Sequence, residues 1–449
     1  MVKNTGGVMQ TGFSMDHRAG DVDTAIRSLG TARIDSPVKG TYFVEDGERV
    51  LLNDSLAYVE RCITDGAKPA TLEIAGPRTK IFFDPSKTKA GIVTCGGLCP
   101  GINNVIRGIV LELYYMYGVK NIYGIPYGLQ GFIPSYGHPL LDLTPQSVAG
   151  IHEIGGSILG SSRGSQDITE IVDAIERLNL NVMFFIGGDG TLKAASIVAR
   201  EILSRSYKCS VIGIPKTIDN DINYVSKTFG FDTAVKEAKK VIQCAHNEAT
   251  GAPFGIGLVK LMGRDSGFIA ANAALAQGDA NFVLVPEMDF DLEGEKGFLA
   301  CLEQRLKARG HAVVVVAEGA GTRFFDVKEA HTDASGNIKR GDIGVFLKDT
   351  IQEYFKANNQ EINLKYIDPS YVIRSVEADA SDSIFCGMLA QMAVHAGMSG
   401  KTDMLIGVWD NRYVHIPIAL SVGERKKIDT HGPLWKSVIE STGQPVMKN

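Results

Sequence analysis

Short apolar runs recur along this chain, and most end at glycine before a stretch with helical spacing begins. Residues 90–94 run into Gly96-Gly97, and residues 182–186 into Gly187-Gly188. Residues 211–214, 254–259, 282–285 and 311–317 continue the series. The last has five consecutive apolar positions after Ala312, as a strand buried on both faces requires. Residues 233–248 and 295–309 carry apolar side chains at three-and-four spacing with charges between them, which predicts amphipathic helices. Strand, glycine turn and helix in alternation predict an α/β protein whose parallel sheet is covered by helices on both faces. Residues 1 to 88 break the pattern. They are mixed and polar, end in the turn-rich string Ala75-Gly76-Pro77-Arg78 and a hairpin through Ile81-Phe82-Phe83, and read as an N-terminal extension. Residues 331–341, charged and glycine-containing, read as an exposed loop or hairpin, and no internal repeat at a fixed short period is visible.

At 449 residues the chain exceeds one core, so two or three domains are expected. A net charge of -5 leaves no electrostatic footprint for nucleic acid or an acidic membrane, so any phosphate binding has to be local. No apolar stretch approaches the roughly 18 residues of a membrane span. The start lacks a signal peptide's apolar core, and the end, Pro445-Val446-Met447-Lys448-Asn449, is not Ser-Lys-Leu. A soluble cytoplasmic protein is therefore expected. Seven cysteines fit reduced thiols. Cys95 and Cys99 are the one close pair, and without a second pair or a histidine cluster they read as packing residues in a glycine-rich turn rather than as zinc ligands.

The chemistry concentrates in a few strings. Pro215-Lys216-Thr217-Ile218-Asp219-Asn220-Asp221 sets two carboxylates two apart beside a Lys and a Thr, at the C-terminal edge of a predicted strand, where open α/β sheets bind ligands. That composition suits proton removal from a hydroxyl next to a phosphate. Three glycine strings also fall at predicted strand ends: Gly96-Gly97-Leu98-Cys99-Pro100-Gly101, the string from Gly155 to Arg163, and Gly187-Gly188-Asp189-Gly190-Thr191. Each is either a tight turn or a cradle where backbone amides reach phosphate oxygens. Asp189 is either a helix cap or a Mg²⁺ ligand beside bound phosphates. Neither a Walker string nor a protein-kinase pattern is present, so charge neutralisation, alignment and a base would come from Arg163, Asp189 and Asp219. The cluster Lys260 to Gly267 places Arg264 at a turn, Glu318 ends a strongly apolar strand, and Tyr371-Val372-Ile373-Arg374 supplies a second Arg. Two Arg and a Glu at strand ends suit a phosphorylated, hydroxyl-rich acceptor.

Taken together these strings resemble the 6-phosphofructokinases, the long-chain subgroup in particular, from about Ala75 to Arg412. Seven motifs stand in family order: Gly-Gly-Leu-Cys-Pro-Gly, Leu-Gly-Ser-Ser-Arg, Gly-Gly-Asp-Gly-Thr, Pro-Lys-Thr-Ile-Asp-Asn-Asp, Lys-Leu-Met-Gly-Arg, Ala-Glu-Gly and Tyr-Val-Ile-Arg. The resemblance implies phosphoryl transfer from MgATP to the 1-hydroxyl of fructose 6-phosphate, with Mg²⁺ as cofactor. It implies Asp219 as the base, with Thr217 and Asp221 beside it, and Arg163 steadying the transferring group. Gly97, Gly188, Asp189, Gly190, Thr191 and Lys216 would serve the donor and metal. Met262, Gly263, Arg264 and Glu318 would hold the sugar, and Arg374, with Lys365 and Tyr371, its 6-phosphate. The family completes that phosphate site from a neighbouring subunit, so a homo-oligomer, dimer or tetramer, is implied. Here the pattern departs: Gly255 stands where short-chain members carry Arg, and Tyr371 where they carry His.

The family also implies two Rossmann-like, doubly wound lobes with the site between them. Residues 89–230 with 373–420 would form the donor lobe and 231–372 with 421–449 the sugar lobe, behind the extension 1–88. ATP users of the family carry glycine at the position of Gly190 and pyrophosphate users aspartate. Lys216 matches the pyrophosphate users, and the long-chain ATP subgroup combines both residues as this chain does. The Gly-Gly-Asp-Gly-Thr string also occurs in lipid and nicotinamide-nucleotide kinases, which lack the other motifs. A silent regulatory subunit would have lost the base or the metal carboxylate, and both are present.

Overall fold

The computed structural model describes residues 22–40, 42–325 and 341–449, and its fold is built around two sheets. The larger has nine strands in the order Arg49–Leu51, Thr71–Ile74, Arg412–Pro417, Met404–Trp409, Ser210–Pro215, Val182–Gly187, Lys89–Thr94, Asn121–Ile125, Leu141–Asp142. Its five central strands, Met404–Trp409 through Asn121–Ile125, are mutually parallel, and the outer ones run antiparallel. The smaller sheet is wholly parallel, in the order Phe282–Leu284, His311–Ala317, Gly255–Leu261, Asn363–Ile367.

Every residue of Val182–Gly187 is buried, because helices cover both faces. Phe184 and Phe185 show the alternation: Phe184 points into a core filled by helices Ile102–Leu111 and Ala380–Met398, Phe185 into one filled by Ile168–Arg177 and Asp189–Ser204. The first of these cores continues through helix Phe231–Thr250 to Val259 and Val313 on one face of the smaller sheet. A third core, with Leu258, Val314 and Phe355, closes that sheet's other face under helices Phe298–Arg309 and Ile343–Ala357. The C-terminal helix Pro433–Thr442 packs on Phe268–Gln277, beside the smaller sheet. Among the described residues no helix is long and apolar enough to cross a membrane.

The N-terminal part is bound into this architecture. Thr71–Ile74 pairs with Arg412–Pro417 in the larger sheet, and Arg27–Ser28 pairs with Lys401–Thr402. The hairpin expected through Ile81-Phe82-Phe83 does not form. Lys80–Ile81 instead pairs with Ile34–Asp35, far back in the chain, and the Phe82 amide donates to Met398 O at 2.8 Å. Ile81 is fully buried, so its place is set by the core rather than by a local turn. The stretch 331–341 lies outside the described residues except Gly341, just before Asp342 caps helix Ile343–Ala357 through its carboxylate.

Candidate active site

A cleft of about 560 Å³ opens at the C-terminal ends of the larger sheet's parallel strands, facing the turn after Gly255–Leu261. It collects most of the residues singled out above: Gly97, Arg163, Gly188, Asp189, Gly190, Thr191, Lys216, Thr217, Asp219, Asp221, Met262, Arg264 and Arg374.

Its floor is the loop after Ser210–Pro215. The Thr217 hydroxyl donates to Asp221 Oδ1 at 3.2 Å and accepts from the Asp219 amide at 3.0 Å, which fixes both carboxylates relative to one another. Asn220 between them sits at φ 54°, a left-handed conformation that asparagine tolerates better than most residues. Asp219 is only 5% exposed. Its Oδ2 lies 3.4 Å from Arg264 Nε, while the buried Oδ1 has no hydrogen-bond partner. Burial, then the charge of Asp221, pushes the Asp219 carboxyl up to about 7, against the opposing pull of Arg264. An acceptor oxygen without a donor, on a carboxylate poised near neutral pH, is what a general base requires.

Asp189 is not a helix cap. Gly188 takes that position, and Asp189 begins helix Asp189–Ser204 with its Oδ2 2.9 Å from Lys193 Nζ, one turn on. Gly190 follows, and a Cβ built on it meets nothing within 4 Å, so the chain leaves open space at the helix N-terminus inside the cleft. The other glycine strings differ. Gly155 follows the 3-10 turn Ile151–Glu153, not a strand, because the segment after Leu141–Asp142 is tied down by turns. Its arm nevertheless delivers Arg163 to the cleft.

Cations line the opposite wall. The buried Lys216 ammonium donates to Gly97 O, and burial pushes its pKa down. A Cβ on Gly97 would lie 3.1 Å from Arg374 Nη1 and 3.7 Å from Arg163 Nη2, so two guanidiniums converge over that glycine. Burial, then the proximity of Arg163, lowers the pKa of Arg374. Like charges drawn together in a half-buried cleft suit a polyanionic ligand.

The turn after Gly255–Leu261 is held by Glu318, whose Oε1 accepts from the Arg264 amide at 2.7 Å and the Gly263 amide at 3.4 Å. Arg264 takes φ 51°, and Gly263 takes φ 151° where a Cβ would meet Ser266 O at 2.3 Å, so only glycine fits. Lys365 and Tyr371 do not line the cleft. Lys365 is exposed on the edge strand Asn363–Ile367, and Tyr371, 74% exposed, lies with its ring 4.8 Å from the Arg374 guanidinium. Cys95 and Cys99 are both buried, and burial pushes the Cys95 thiol up to about 12, which keeps it protonated as a packing group.

Two charged residues of the cleft were not anticipated, Lys193 and Arg425. Lys193 was legible as the i,i+4 partner of Asp189. Arg425 sits in the run Arg425-Lys426-Lys427, which reads as a solvated face and gives no local signal.

Comparison with known proteins shows what the chain is similar to. The Phosphofructokinase family matches residues 89–397. An ATP-dependent 6-phosphofructokinase of Borreliella burgdorferi is 49% identical over 441 residues, covering 96% of this chain and 98% of that protein. One from Amycolatopsis methanolica is 46% identical, with 94% and 95% covered. Among solved structures, a pyrophosphate-dependent phosphofructokinase from Marinobacter aquaeolei aligns with TM-score 0.65 at 21% identity over 81% of this chain and 92% of that one. Pichia pastoris phosphofructokinase in the T-state aligns with TM-score 0.60 at 22% identity over 79% of this chain and 37% of its own. At those identities the solved structures speak for the fold alone.

Proposed function

The chain belongs to the phosphofructokinase family, and from that premise we infer that it transfers the terminal phosphoryl group of ATP to the 1-hydroxyl of fructose 6-phosphate, giving fructose 1,6-bisphosphate. The observation that carries the reading is Asp219, a buried carboxylate at the cleft floor with one unpartnered oxygen and a pKa raised to about 7.

In this reading Asp219 Oδ1 accepts the proton of the sugar hydroxyl as the phosphoryl group moves, and Thr217 and Asp221 hold the loop that aims it. Lys216 and Arg163 offset charge on the transferring group. The amides at Gly188 to Thr191 and the helix they start take the donor phosphates, Gly190 leaving room for the nucleotide side. Arg264 and Glu318, with Met262 and Gly263, hold the sugar, and Arg374 takes its 6-phosphate, with Lys365 and Tyr371 presented on the surface toward a neighbouring subunit of a homo-oligomer.

Mg²⁺ fits the same residues. Asp189 is a cleft carboxylate already held by a cation, and Mg²⁺ usually takes only one or two carboxylates besides phosphate and water. Bound there, the ion would neutralise donor-phosphate charge. We place the activity in the cytoplasm.

The direct test is the initial rate of fructose 1,6-bisphosphate formation with Mg²⁺, comparing ATP with pyrophosphate. Turnover with ATP is expected, and turnover with pyrophosphate alone would overturn the donor assignment.

A further inference from the structure

The run Arg425-Lys426-Lys427 has the sequence of a solvated face, yet its first two residues are not solvated. The Arg425 side chain is 22% exposed and lines the cleft, and Lys426 is buried. Their partners lie on both sides of the cleft. Arg425 forms an antiparallel bridge with Ile222, and the Lys426 amide donates to Asp221 O at 3.0 Å. The Lys426 ammonium donates to Val225 O at 2.8 Å, Ser226 O at 3.2 Å and Asn220 Oδ1 at 3.2 Å, so all three of its donors are spent on the loop that carries Asp219.

The same segment holds the sugar-side turn. Ser266 Oγ donates to Lys426 O at 2.6 Å. The Ile428 amide donates to Glu287 Oε1 at 2.9 Å, and Glu287 also accepts from the Gly267 amide. Between the two sides, Arg425 lies 3.8 Å from Asp221 Oδ2 and 3.2 Å from Asp265 Oδ2. An apolar residue would secure a surface segment without the desolvation of an ammonium. What Lys426 adds is a fixed position for three oxygens of a loop whose Asn220 is held at φ 54°.

We propose that Arg425 and Lys426 are positioning residues of the phosphoryl-transfer site. Lys426 holds the course of the 219–226 loop, and Arg425 ties Asp221 to Asp265, so that Asp219 and Arg264 face each other across the cleft at one set separation. The catalytic part of this inference rests on the function proposed above. The positional part rests on the contacts alone.

Full-length Arg425→Met, Arg425→Lys and Lys426→Met test it. With ATP and fructose 6-phosphate, Arg425→Met is expected to lower kcat about 10- to 10²-fold, as small misplacements of reacting groups do, with KM for ATP little changed. Arg425→Lys restores a large part of kcat. Lys426→Met accelerates amide hydrogen exchange across residues 217–228 while helix Phe231–Thr250 exchanges as before. Wild-type kcat in Arg425→Met overturns the catalytic part, and unchanged exchange in Lys426→Met overturns the positional part. If wild type itself fails to phosphorylate fructose 6-phosphate, the function reading falls and the exchange arm still decides whether the segment positions the loop. If Lys426→Met does not fold, exchange in Arg425→Met, a partly exposed position, decides in its place.

Discussion

Replacing Asp219 by Asn should inactivate the protein and stabilise it at once. The Asp219 carboxyl is raised from 3.8 to about 7, a displacement equivalent to about 4 kcal/mol between its two protonation states. Between about pH 4 and about 7 the unfolded chain has released this proton while the folded chain keeps it, so stability falls as pH rises through that window. Asn does not titrate, and an unpaired amide at the buried oxygen costs less than an unpaired charge. The pull of Arg264 is already contained in that displacement, and what stands against the gain is the desolvation of the unpaired amide, about 1 to 2 kcal/mol. The net expectation is a gain of about 2 to 3 kcal/mol above pH 7 that shrinks toward zero near pH 4. Activity moves the other way, because losing a general base costs about 10²- to 10⁴-fold in kcat.

Urea unfolding of both proteins at pH 5 and pH 8, with steady-state rates at pH 8, reads out both effects. A variant that retains turnover within a few-fold of wild type would remove Asp219 from the role of base. A stability difference that is the same at both pH values would show that the folded carboxyl is not raised, and the electrostatic argument would fail with it.

Three further outcomes are expected. Gly190→Asp should fold as well as wild type, because the site of its Cβ is open and an acid in a helix's first turn is favourable, yet lower kcat/KM for ATP more than for pyrophosphate; an unchanged donor ratio would refute the role given to Gly190. Asp189→Asn should raise the Mg²⁺ concentration needed for half-maximal rate, and an unaltered Mg²⁺ titration would exclude Asp189 as the ion's ligand. Glu73, which burial would raise but hydrogen bonds from His415 and Lys401 hold down near about 2, contributes about 3 kcal/mol that is present above pH 4.5 and lost as pH falls toward 2, so Glu73→Gln should be destabilised at pH 7 and nearly matched to wild type in strong acid, as acid titration of unfolding would show.

How much of this was legible follows from where each signal lies. Six of the parallel strands were read within a residue or two, and His311–Ala317 to the residue, since a strand covered on both faces is continuously apolar, whereas Asn121–Ile125, Asn363–Ile367 and Met404–Trp409 were not read. Helix Phe298–Arg309 begins three residues later than its periodicity suggests, because Gly297 provides the N-cap. The strands of the N-terminal part were not legible. They are short, and two of them pair with partners over three hundred residues away, as between Glu73 and His415. Asp219 and Arg163 could be found because local strings carry their chemistry. Arg425 could not, because the residues that give it a role, Asp221 and Asp265, are near it only in the fold.

That same non-locality decides when the site exists. Of the carboxylates in the cleft, Asp189 meets its cation within one helical turn, so helix Asp189–Ser204 alone sets that pair. Asp219 meets Arg264 from the turn after Gly255–Leu261, and Asp221 meets Arg425 from the C-terminal segment. One of the three pairs therefore requires both sheets to be in place, and another requires the chain's last stretch. The turn at Asn220 has local support as well, because the Thr228 amide donates to Asn220 Oδ1 at 3.1 Å and Thr217 bonds to both Asp219 and Asp221. In the function proposed above, the part of the site around Asp189 forms with its own sheet, whereas Asp219 meets Arg264 only once both sheets are in place, which would couple proton removal to the assembly of the whole cleft.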